Sequence, residues 1–156
     1  RIAPQGGSIR VMLQKIGGDI LRDSSVDKLI ALEHKLGLNR VDELIQFNKR
    51  ISVIGDSLQK LILSLKKEGK SIAGFGAPTK ATTLMAHFGL DEKMLDFIVD
   101  DNPLKQGLFT PITHIPVLSA EALYDQKPDY LLILAWNFSK PIMKMHEKYS
   151  LSLIHI

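Results

Sequence analysis

Apolar residues recur every three or four positions from Val41 through Leu44, Phe47, Ile51, Ile54, Leu58, Ile62 and Leu65. That period marks one face of an α-helix. Asp42 and Glu43 suit its first turn, and Lys66, Lys67 and Gly69 suit its end. The pattern predicts one helix of nearly thirty residues, with Gly55 as a candidate kink. A shorter helix is predicted in "LRDSSVDKLIALEHKLGLN", opened by a serine or aspartate cap and closed on Gly37. Before it, "PQGGSIRVML" sets a glycine turn ahead of a β-favouring run, which predicts a strand from Ile9 to Leu13.

From Ser71 the texture changes. Short apolar runs, "SIAGFG", "LDFIVDD", "DYLLILAW" and "LSLIHI", alternate with helix-like stretches, "TKATTLMAHFG", "SAEALYDQ" and "SKPIMKMHEKY". Buried strands alternating with helices imply an α/β fold with an open parallel sheet flanked by helices, Rossmann-like and doubly wound. The expected layout is one domain over residues 1–156, with a strand and helical lead-in over 1–69 and a βαβ core over 70–156.

In such sheets the ligand crevice lies outside the carboxyl ends of the strands. The first of these ends reads "GFGAPTK". Gly74 and Gly76 permit close backbone approach, Pro78 suits a first helical turn, and Lys80 adds a positive charge beside Ala77. The fingerprint is incomplete, because Thr79 stands where a dinucleotide loop has a third small residue, and the Gly-Lys-Ser/Thr of a Walker loop is absent. A plain strand–turn–helix corner therefore remains the competing reading. The second end, "FIVDDNPLKQG", sets Asp100 and Asp101 about 25 residues beyond Gly76, near the position of a ribose-binding acid, followed by Asn102, Lys105 and Gln106. Thr113 and His114 follow in a proline-bounded segment, and Trp136 and Asn137 close the "LLILAWNF" end.

Composition narrows the field further. The chain has 156 residues, 45% hydrophobic and 24% charged, enough for a core of ordinary size. A net charge of +3 with scattered basic residues gives no reason to expect a nucleic-acid partner. With no cysteine there is neither disulfide nor thiolate metal site, and the expected setting is cytoplasmic, with no membrane partner. The start at Arg1 and the apolar end "SLSLIHI" are expected of a piece of a longer protein. No histidine has a carboxylate at catalytic spacing: His87 sits in a helix pattern, and His34, His146 and His155 stand alone.

"GGSIR", "GFGAPTKATTL", "VDDNPLKQGLFTPITHIPV" and "PDYLLILAWNF" together resemble the C-terminal domain of the nucleotide-sugar C-methyltransferases, which act on nucleotide-linked deoxysugars. The resemblance runs in order through nearly the whole chain. It implies a zinc-binding N-terminal domain and a central S-adenosylmethionine-binding domain upstream, with this part holding the nucleotide-sugar. It also implies that the donor site and catalytic base lie upstream, so the isolated chain is expected to be inactive. On that reading the substrate-binding residues are Ser8, Arg10, Gly74, Gly76, Ala77, Pro78, Lys80, Asp101, Asn102, Lys105, Gln106, His114 and Asn137. The chain departs from the family pattern at Gln5, Thr79, Ala81 and Thr82, and in its last residues. Two rival readings are an NAD(P)-binding oxidoreductase fragment and a non-catalytic module in which the long helix mediates dimerisation.

Overall fold

The structure is a computed structural model that describes residues 2–4, 7–147 and 153–154. Gln5, His155 and most of "SLSLIHI" lie outside the described residues. The chain falls into two compact units, residues 1–53 and 54–156.

The first unit holds helix α1 (Ser24–Lys35) and the start of helix α2 (Val41–Lys67). The Asp23 carboxylate caps α1 by accepting the Ser25 N–H, and the Ser25 hydroxyl together with that N–H holds its pKa below the usual aspartate value. The strand expected at Ile9–Leu13 is not formed: residues 9–15 are neither helix nor strand. A β-favouring sequence needs a neighbouring strand to pair with. A bridge nearby joins Ile2 and Ser8, just before the expected strand.

The second unit is a sheet of parallel strands in the order β3-β2-β1-β4-β5, comprising β1 (Ile72–Phe75), β2 (Phe97–Val99), β3 (Val117–Leu118), β4 (Tyr130–Ile133) and β5 (Leu153–Ile154). Helix α3 (Thr79–Phe88) connects β1 to β2, α4 (Ala122–Gln126) connects β3 to β4, and α5 (Ser139–Met145) follows β4. This is the open, helix-flanked parallel sheet that the alternating runs predict. Strand β3 was not foreseen. It has two residues and follows Pro116, too short a run to show a period of two.

The strands are buried on both faces because side chains alternate across the sheet. Ala73, Phe75, Phe97, Val99, Leu131 and Ile133 form one core with Leu123 of α4 and Ile142 of α5. Ile72, Gly74, Ile98 and Leu132 point the other way. The buried residues left to cover them include Leu58, Ile62 and Leu65 of α2 and Ala81, Met85 and Phe88 of α3. Two aspartates secure the amino ends of the strands. Asp96 accepts the Ile72 N–H at 2.7 Å and pairs with Lys66, and Asp129 accepts the Ser71 N–H and hydroxyl, each at 2.9 Å.

α2 is continuous through Gly55. The glycine serves packing: a Cβ there would lie 2.6 Å from the Phe88 ring of α3. Gly55→Val is therefore expected to destabilise the fold by about 1–3 kcal/mol, since the ring must be pushed aside. Urea denaturation of the two proteins measures this. An unchanged midpoint would mean that Phe88 yields without cost.

Candidate functional site at the carboxyl edge of the sheet

The strand order reverses between β1 and β4, the switch point outside whose carboxyl ends open parallel sheets carry their ligand crevice. Residues 76–78 flank it on one side and residues 134–138 on the other. The loop after β2 adjoins the first of these.

The central group is Asp100, the residue after β2, which is only 8% exposed. Its Oδ2 accepts the Ala77 N–H at 2.7 Å and the Lys105 ammonium at 3.0 Å, and its Oδ1 accepts the Asn102 N–H at 2.9 Å. Lys105 also donates to the Ala77 carbonyl at 3.0 Å, and the Gln106 amide donates to the Asp100 carbonyl at 2.9 Å. The carboxylate thus joins the glycine loop to the loop after β2. Burial opposes its ionisation, but the two backbone N–H groups and the Lys105 ammonium outweigh that cost and hold its pKa below the usual value.

The glycines answer first to neighbouring chain. A Cβ on Gly74 would meet Ile98 at 2.8 Å and Leu134 at 3.0 Å. One on Gly76 would meet the Ala135 Cβ at 2.7 Å, and the Gly76 φ of +87° disfavours any side chain. Gly76 also donates its N–H to the Val99 carbonyl at 2.7 Å, so β1, β2 and β4 close together at this residue.

Pro78, with an extended ψ of 158°, precedes the first residue of α3, and the half-buried Lys80 follows in the first turn. The Lys80 ammonium lies 4.7 Å from the Trp136 ring centre and 5.9 Å from that of Phe138, a cation–π contact across the crevice. No carboxylate among the described residues pairs with it. Lys105, by contrast, has its charge matched by Asp100.

The structure therefore brings Gly74, Gly76, Ala77, Pro78, Lys80, Asp101, Asn102, Lys105, Gln106 and Asn137 to one edge of the sheet. Asp101, Asn102 and Asn137 are exposed there. His114 is not part of this group. Residues 107–109 run back antiparallel to the segment leading into β3, through Phe109–Pro116 and Gly107–Val117 pairing. His114 sits in the turn at the far end, with a φ of +51°, level with the amino end of β2. Thr113 lies in the same turn, its hydroxyl 2.7 Å from that of Thr110. Ser8 and Arg10 belong to the first unit, where the Ser8 hydroxyl donates to the Pro4 carbonyl and Arg10 is exposed.

Sequence reasoning set both Asp100 and Asp101 near the acid position but placed only Asp101 among the substrate-binding residues, and it missed the two contacts that organise the edge, Asp100 with Ala77 and Lys80 with Trp136. The turn signal "DNP" after a buried run was the available clue to Asp100. Tyr124 and His146 form a third unforeseen pair: the phenol is 2.7 Å from Nδ1 of the buried imidazole, beside Phe75. Among the described residues, no group of three or more His, Cys, Asp and Glu side chains is placed to hold a metal.

Asp100→Asn is expected to destabilise the protein by about 1–3 kcal/mol at neutral pH, because Lys105 and two backbone donors lose a charged acceptor. A carboxylate with a depressed pKa stabilises the fold above its unfolded value and loses that contribution as the pH falls through its folded value. The gap between wild type and variant should thus narrow below about pH 4. Urea midpoints across the acid range measure it, and a gap independent of pH would show that charge is not what joins the loops.

Comparison with known proteins fits this architecture. Residues 3–152 match the model of a family described as the C-methyltransferase C-terminal domain. The C-methyltransferase NovU of Streptomyces niveus is 32% identical over 144 residues, which cover 92% of this chain and 34% of that protein. The chain thus spans about a third of its relative's length. It belongs to the family of C-methyltransferase C-terminal domains.

Proposed function

We propose that this chain holds the sugar substrate of an S-adenosylmethionine-dependent C-methyltransferase, and that the substrate is a nucleotide-linked deoxysugar. The observation that carries the reading is the carboxyl edge, where a cation without a carboxylate partner, an aromatic ring and exposed polar groups meet at the switch point of a parallel sheet. A nucleotide-sugar offers matching chemistry: a diphosphate for Lys80, and a flat base and hydroxyls for Trp136, Asn102 and Asn137. Charge-assisted hydrogen bonds to phosphate are worth about 1.5–3 kcal/mol, against about 0.5–1 kcal/mol for an exposed cation–π contact. An arriving diphosphate therefore draws the Lys80 ammonium away from Trp136.

The crevice does not suit S-adenosylmethionine or NAD(P) in the usual dinucleotide manner. The acid at the end of β2 already accepts three hydrogen bonds, and the space over Gly76 is bounded by Ala135. No step through either cofactor is assigned to these residues. C-methylation requires a proton to leave the carbon beside a carbonyl and an enolate to be stabilised. Among the residues gathered at this edge none is an evident base, so the contribution of this chain is to hold the sugar in reacting orientation, which lowers a barrier without supplying a reacting group. The donor site, the base and any zinc belong, on this reading, to the rest of a longer polypeptide acting in the cytoplasm.

Calorimetric titration with a thymidine diphosphate sugar tests the reading. Binding is expected, and Lys80→Ala should weaken it by about two- to seventyfold, the value of the phosphate contact less the cation–π contact it replaces. Trp136 is the single tryptophan, so its fluorescence should change on the same titration. Silence in both signals would remove the substrate role. Purified chain with S-adenosylmethionine and the same sugar should transfer no methyl group. Turnover above background would show instead that the chain carries a complete active site.

A further inference from the structure

The first unit leaves its apolar surface uncovered. Among its described residues no apolar side chain is buried. Met12 is 86% exposed and Leu13 is 92% exposed, in a stretch from residue 9 to residue 21 that forms neither helix nor strand. In α2, one stripe runs through Val41, Leu44, Ile51, Gly55, Leu58 and Ile62. Its carboxyl half is buried at Leu58, Ile62 and Leu65, whereas at its amino half Val41, Leu44, Ile45 and Phe47 are all exposed. Large apolar side chains left open in such number mark an interaction surface.

We propose that this surface, residues 9–21 with the amino half of α2, is the seat of the polypeptide that precedes this domain in the full-length protein. Two facts select that occupant. The family to which the chain belongs is a C-terminal domain, and the chain spans only 34% of its relative, so most of a protein of this kind lies on the amino-terminal side. The exposed residues are also concentrated at that end of the chain. A domain joined there is present at an effective concentration of about millimolar, whereas a second copy must be recruited from dilute solution. The inference rests on family membership and is independent of what fills the crevice.

Hydrogen exchange decides it, comparing residues 1–156 with the full-length natural polypeptide, each with its mass measured by sedimentation. Amides of residues 9–21 and 41–52 should exchange at least about tenfold more slowly in the longer protein. Leu13→Asp combined with Leu44→Asp should lower the melting temperature of the longer protein and leave that of residues 1–156 unchanged. Equal protection in monomeric residues 1–156 would mean that the chain covers this surface itself. Protection that rises with concentration and accompanies a dimer would assign the surface to a second copy. Rapid exchange in both proteins would show that nothing covers it. Each of these three results overturns the proposal.

Discussion

The carboxylate of Asp100 is the constraint on which the carboxyl edge depends. It ends β2, is nearly buried, and accepts from the backbone of two loops and from a lysine. Without it, Ala77 would lose its acceptor, and the glycine loop would be held by the Gly76–Val99 hydrogen bond and by Lys105 on the Ala77 carbonyl. Lys105 serves the same purpose, reaching both the carboxylate and the Ala77 carbonyl. Two groups that resemble ligand-binding residues are thus spent on holding the loops. The reaching cation is left to Lys80, on the other side of the glycine loop.

The contrast between the sheet edges is informative. At the amino edge Asp96 and Asp129 face lysines and backbone donors, and the geometry has only a structural use. At the carboxyl edge the same chemistry recurs at Asp100, but beside it stand exposed Asp101, Asn102 and Asn137 and the Lys80–Trp136 contact. Groups engaged with one another beside exposed polar side chains suit a site that positions a substrate. On the proposed reading the first supply preorganisation and the second recognition.

Much of the fold was legible because long helices and buried strands have strong periods. The α2 stripe and the runs at Ile72, Phe97 and Tyr130 announced themselves. Ile9–Leu13 misled because β-propensity expresses packing against a neighbour, and among the described residues no strand lies beside that segment. β3 was hidden by its length. The site was legible in location but less so in roles. Gly74 and Gly76 read as openings for a ligand, yet Ile98, Leu134 and Ala135 fill the space that their missing side chains leave. Sequence cannot show which of two adjacent aspartates turns inward, nor that Lys105 meets one of them, because both depend on how the loops close in three dimensions. His114 looked like part of the rim because it follows the rim in sequence, whereas the chain doubles back before reaching it.

The claim that the carboxyl edge receives a nucleotide-sugar is tested most directly by following backbone amides and the indole N–H by nuclear magnetic resonance during titration with a thymidine diphosphate sugar. The account predicts shifts concentrated at Ala77, Lys80, Asp101, Asn102, Asn137 and the Trp136 indole, with the turn at Thr113 and His114 unmoved. Shifts confined to that turn or to residues 9–53, or none at millimolar ligand, would contradict it.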